Sequence, residues 1–170
     1  MTWQILDSNY EQAKITVIGV GGGGGNSVHH MIKSDIKGVE FICANTDSQD
    51  LTKIHKAKKI KLGEEFTKGL GAGNDPERGR VATELSISEI RDALEHTEML
   101  FIVAGMGGGT GTGGSPVIAK VAKELGILTV AVVTTPFKYE QEKRAEQARA
   151  GISKLMQNVD SCIEIDNEKI

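Results

Sequence analysis

Five short apolar runs, at residues 15–20, 39–44, 99–104, 128–133 and 162–165, are separated by longer stretches in which apolar side chains recur every three to four positions. Short runs of this kind predict strands and the 3.6-residue periodicity predicts helices, so the alternation points to a parallel sheet joined by crossover helices. None of the runs alternates strictly with polar residues, as expected of strands covered on both faces. A weaker run at 60–62 is a candidate further strand. The expected fold class is α/β, a Rossmann-like three-layer arrangement with a mostly parallel sheet and helices on both faces.

Two helices stand out between the runs. Asp75 is placed to cap a helix over 75–97, with Pro76 in its first turn and Val81, Ala82, Leu85 and Leu94 as a buried stripe. A second stretch, 140–158, brings Ala145, Ala148, Ile152, Leu155 and Met156 to one face and leaves charged residues on the other. With no linker, tandem repeat or low-complexity tail, 15–170 reads as one domain, preceded by a short extension at 1–14.

Composition narrows the function classes. Of the 170 residues, 39% are hydrophobic and 25% charged, enough to bury a core. A net charge of -3 gives no general attraction to nucleic acid or to anionic lipid. Residues 1–14 include Asp7 and Glu11 and lack the basic start and apolar stretch of a secretion signal. No apolar segment approaches the ~20 residues of a membrane span, so a cytoplasmic location without membrane insertion is expected. Cys43 and Cys162 each sit in an apolar run, suited to small buried residues in a reducing compartment rather than to a disulfide or a metal site.

The 21 glycines gather where strands should end. Residues 21–25 are all glycine and lead toward a helix beginning near Asn26, so bare backbone can approach a phosphate where helix N–H groups point outward. Gly19, Gly21 and Gly24 also fit the dinucleotide spacing G-x-G-x-x-G, with Asp47 downstream for a ribose hydroxyl. A second run, 105–113, reads GMGGGTGTG after another predicted strand, with Pro116 suited to the opening turn of the next helix. Two such loops can enclose a phosphate chain, with Thr110 and Thr112 adding hydroxyl donors. A third, 69–73, precedes the Asp75 cap and is placed to close over a terminal phosphate. No G-x-x-x-x-G-K-[ST] sequence occurs, so a lysine-bearing P-loop is disfavoured.

The 105–113 run resembles the glycine-rich loop of the FtsZ/tubulin family in its bacterial FtsZ form. The likeness extends through ITVIGV at 15–20 with the following glycines and Asn26, ANTD at 44–47, GLGAG at 69–73 and VTTPF at 133–137. It implies GTP or GDP as ligand, with Mg2+ accompanying GTP, and assembly with other FtsZ subunits into head-to-tail filaments of the division ring at midcell. FtsZ-binding division proteins are further partners it implies for a full-length member. By position, Gly22, Gly23, Gly24 and Gly25, Ala72 and Gly73, and Gly107, Gly108, Gly109, Thr110 and Gly111 would contact phosphates. Asn26, Glu140, Arg144 and Asn167 would lie on the sugar and base side, and Asn45 and Asp47 near nucleotide or magnesium. Read as bare sequence, Glu140 and Arg144 are equally an ordinary i,i+4 surface pair, and Asn45, Asp47 and Asn167 are equally turn formers.

Four residues, at three places, depart from the family pattern. Gly114-Ser115 stands for an alanine pair, Gln141 where glycine is common, and Asp166 for a proline. Asp166 adds negative charge near the expected base pocket. The resemblance further implies a long central helix, a second domain and an acidic catalytic loop beyond the position of Ile170, the loop entering the site of a neighbouring subunit. No catalytic residue is therefore expected within this chain. Little turnover by the chain alone follows, because phosphoryl transfer depends on positioning and charge stabilisation. The alternatives are a non-catalytic fragment or shortened relative that caps FtsZ filaments, and a nicotinamide-dependent oxidoreductase built on the Gly19 fingerprint.

Overall fold

The computed structural model describes residues 13–136 and 141–166. Among these residues six strands form one sheet: β1 (Ile15–Val20), β2 (Val39–Asn45), β3 (Lys58–Lys61), β4 (Met99–Gly105), β5 (Leu128–Thr135) and β6 (Ser161–Asp166). The order is β3-β2-β1-β4-β5-β6 and every pairing is parallel. The weak run at 60–62 thus marks a true edge strand, and its three exposed lysines oppose pairing of that edge with another strand.

Seven helices connect the strands among the described residues: α1 (Gly21–Lys33), α2 (Ser48–Thr52), α3 (Glu64–Thr67), α4 (Pro76–Glu84), α5 (Ile87–Leu94), α6 (Thr110–Glu124) and α7 (Glu142–Met156). Side chains at successive strand positions point to opposite faces, and two cores result. Ile60, Ala44, Val20, Ala104 and Val133 are in register across five strands. They belong to the larger core, closed by Ala82, Ile90, Leu94, Ile118, Ile152 and Leu155 from α4 to α7. On the other face Val17 and Cys43 meet Val28 of α1 and Leu51 of α2. Each fully buried aliphatic side chain stabilises the fold by about 1.5–3 kcal/mol, so the register of the sheet is strongly specified.

Four expectations are corrected. The helix expected over 75–97 is two, α4 and α5, because Ser86 leaves the helical region (φ −109°, ψ 16°) and its Oγ accepts the Gly63 N–H at 2.9 Å. The break turns Leu85 out, 64% exposed, and re-aims Ile90 and Leu94 into the core. Met156 is likewise turned outward, 59% exposed, at the end of α7. Pro116 lies well inside α6 rather than at its opening. Finally, α1 begins at Gly21, not near Asn26, so the glycine run is the helix's own first turns.

Candidate functional site

Strand order reverses between β1 and β4, and this is where crevices form above the C-terminal ends of a parallel sheet. A cavity of about 460 Å³ opens there, reached by the ends of β1, β2, β4 and β5 at Val20, Asn45, Gly105 and Thr134. Two helices point their N-termini into it. Neither α1 nor α6 has a side-chain cap, and neither carries an acid in its first turn. The neighbouring α2 and α4 are capped by the Asp47 and Asp75 carboxylates. Uncapped helix starts leave N–H groups and the positive ends of two macrodipoles aimed at one space.

The glycines divide by role. Gly22 and Gly23 line the cavity, as do Gly108, Gly109, Thr110 and Gly111 opposite. Gly24 does not: a methyl there would sit 2.2 Å from the Val103 carbonyl oxygen, so its bare Cα lets α1 rest directly on the sheet. Gly25 faces Ile54 of the α2 side, where a second, adjoining hollow also takes in Asn26. Gly107 is absent from the cavity lining. Its N–H donates to Thr112 Oγ1 at 2.7 Å, and the Thr112 hydroxyl is buried inside the loop rather than placed on the cavity wall. The Thr110 hydroxyl is paired with that of Thr46 at 2.6 Å, buried.

On the facing wall, Leu70, Gly71, Ala72, Gly73 and Asn74 come from the third glycine loop. Asn45 Oδ1 accepts the Asp47 N–H at 3.1 Å, while Asp47 Oδ1 accepts from Gln49 and Asp50. Both residues therefore build the turn and line the cavity at once. Arg144 of α7 also lines it. Glu140 and Asn167 lie outside the described residues.

Two residues that the sequence did not single out belong here. Asp50 lines the cavity, and its Oδ2 lies 3.3 Å from where a Gly22 methyl would stand. Its other oxygen pairs with Lys53 at 3.5 Å. Its spacing, one turn after Asp47, was the available signal. Gln147, one turn after Arg144, donates from Nε2 to the Gly107 carbonyl at 2.8 Å and the Asn74 carbonyl at 3.4 Å. No sequence pattern marks it. Cys43, at the edge of the adjoining hollow, is held as the thiol because burial pushes its pKa up to about 11.

Two bare helix starts meeting glycine-rich walls at the switch point define an α/β domain built to receive an anionic, phosphate-bearing ligand. The particular family follows from comparison. A family model described as the Tubulin/FtsZ family, GTPase domain, matches residues 14–170, and the chain belongs to that family. It is 55% identical to the cell division protein FtsZ of Coxiella burnetii over 168 residues, covering 99% of this chain and 44% of that protein. The identity to FtsZ of Pseudomonas putida is also 55%, covering 42% of the relative. The chain thus spans less than half the length of these relatives. Among solved structures, an empty FtsZ dimer from M. jannaschii superposes with a TM-score of 0.94 at 42% identity, covering 98% of this chain and 49% of the other. CetZ2 from Haloferax volcanii, a GTPγS-bound protofilament, gives 0.83 at 26% identity, covering 91% of this chain and 49% of the other.

Proposed function

We propose that this chain is a guanine-nucleotide-binding domain that supplies the nucleotide-bearing half of a GTPase site completed by a neighbouring subunit in an FtsZ-type filament. The observation that carries the reading is the convergence of the uncapped starts of α1 and α6 on one glycine-lined cavity. In a triphosphate complex, the N–H groups of Gly22 and Gly23 and of Gly108 to Gly111 take the phosphate oxygens, and Ala72 and Gly73 cover the terminal phosphate. Arg144 stands toward the sugar, with Asn26 beside the adjoining hollow. Glu140 and Asn167 keep the sugar-side and base-side roles the family resemblance gives them. Residues 15–170 form this domain, with 1–14 as an extension to it.

The residues present fit a magnesium ion carried chiefly by the nucleotide. Asp47 and Asp50 are the carboxylates on the cavity wall, and among the described residues no group of three or more His, Cys, Asp or Glu is placed to hold a metal unaided. Magnesium usually keeps several waters and binds through one or two carboxylates plus phosphate oxygens. When bound, it would neutralise phosphate charge.

Hydrolysis is assigned to residues that a neighbouring subunit brings. This agrees with the reach of the relatives beyond the matched segment. The self-association partner is another FtsZ subunit, in the division ring of the cytoplasm. Titration with GTP, GDP and NAD, followed by phosphate release with and without a full-length FtsZ, tests the proposal. Guanine nucleotide binding with slow release alone and faster release in the mixture is expected. Preference for NAD, or rapid turnover by the isolated chain, would overturn it.

A further inference from the structure

The Gly107 and Asn74 carbonyls that Gln147 holds belong to residues with left-handed backbone, φ 113° and φ 58°. Each comes from a different wall of the cavity, the β4–α6 loop and the loop before α4. One side-chain amide on α7 therefore ties both walls to a single rigid helix. Gly107 is fixed on both sides, since the N–H of the peptide before it is held by Thr112 and the C=O of the peptide after it by Gln147. A trans peptide is planar, with C=O and the following N–H opposed. Holding the Gly107 carbonyl toward α7 therefore directs the Gly108 N–H away from α7, and Gly108 lines the cavity. Gly107 cannot be stiffened by a side chain of its own. A methyl there would lie 2.8 Å from Pro136 Cγ and 3.2 Å from the Arg144 carbonyl oxygen, so the restraint must come from outside the loop.

We propose that Gln147 is a positioning residue that sets the orientation of the Gly108 amide and the spacing of the two phosphate-facing walls. It touches neither the ligand nor the reacting atoms. The proposal rests, for the identity of the ligand, on the guanine-nucleotide reading above.

The test compares Gln147→Met, which keeps length and loses the donor, with Gln147→Lys, which is one atom longer and keeps a donor, in the same 170-residue chain. Amide hydrogen exchange is followed at 105–110 without ligand, and affinity is measured for GDP and for guanosine. In the Met variant, faster exchange at Gly107, whose N–H is bonded to Thr112 Oγ1, is expected, with β4 unchanged. GDP should bind about threefold to tenfold more weakly, the worth of one neutral hydrogen bond or slightly more, while guanosine affinity is unchanged. The Lys variant should restore the exchange readout to within about twofold, because it still offers a donor to the same carbonyls. Unaltered Gly107 exchange in the Met variant, or equal loss of guanosine and GDP, would overturn the positioning role. If the parent chain shows no preference for GDP over guanosine, the nucleotide reading fails, and the exchange experiment still decides whether Gln147 orients the loop.

Discussion

Replacing Gly24 by alanine separates the two uses of the glycine run. The new methyl would lie 2.2 Å from the Val103 carbonyl oxygen and 3.0 Å from the Gly19 carbonyl carbon, both backbone atoms, where ordinary contact begins at 3.4 Å. Relief requires α1 to lift from the sheet by more than an ångström, and close-packed interiors yield that much only at a cost of about 1–3 kcal/mol. Alanine recovers part of this through helix propensity, about 0.5–1 kcal/mol over glycine. Gly22→Ala is the matched control. Its methyl meets only the end of the Asp50 side chain at 3.3 Å, so the propensity gain should stand, but the methyl projects at the cavity. In urea titrations followed by circular dichroism, Gly24→Ala should lower stability by about 1–2 kcal/mol. Gly22→Ala should match or exceed the parent in stability yet bind GDP more weakly. If Gly24→Ala is as stable as the parent, or Gly22→Ala loses as much as Gly24→Ala, the division of the glycines into packing and lining positions is wrong.

Three further outcomes follow from the site. Thr46→Val alone strands the buried Thr110 hydroxyl and should cost about 1–3 kcal/mol in thermal or urea unfolding, and adding Thr110→Val should recover part of it. Asp50→Asn removes a carboxylate beside Gly22, so in EDTA it should tighten GDP binding by about twofold to fivefold, an advantage that fades as magnesium is added; a weaker Asn variant in EDTA would contradict this. Cys43, buried and raised to about 11, should alkylate far more slowly at pH 8 than the partly exposed Cys162. Because the folded-state pKa of Cys43 lies above its ordinary value of 9.0, its contribution to stability is intact below pH 9 and is lost as pH rises toward about 11. Mass spectrometry of the alkylated peptides and unfolding across that range check both statements.

The alternation of short apolar runs with helical periodicity determined the parallel sheet, because strands buried on both faces have few other ways to satisfy their side chains and backbone at once. The local capping chemistry at Asp75-Pro76 was legible for the same reason: it depends on neighbours in sequence. The clustering of glycines at strand ends also marked where the cavity lies. What sequence left open was decided across the fold. Ser86 breaks a periodic helix because Gly63, distant in the chain, offers it a bond. Gly24 differs from Gly22 only because Val103 lies beneath one and Asp50 beside the other. Thr112 faces Gly107, and Thr110 faces Thr46. Periodicity and loop chemistry are written residue by residue along the chain, so they can be read there. Whether a glycine packs or binds, and which amide steadies a loop, depends on contacts between segments far apart in sequence, which exist only once the sheet has closed around them.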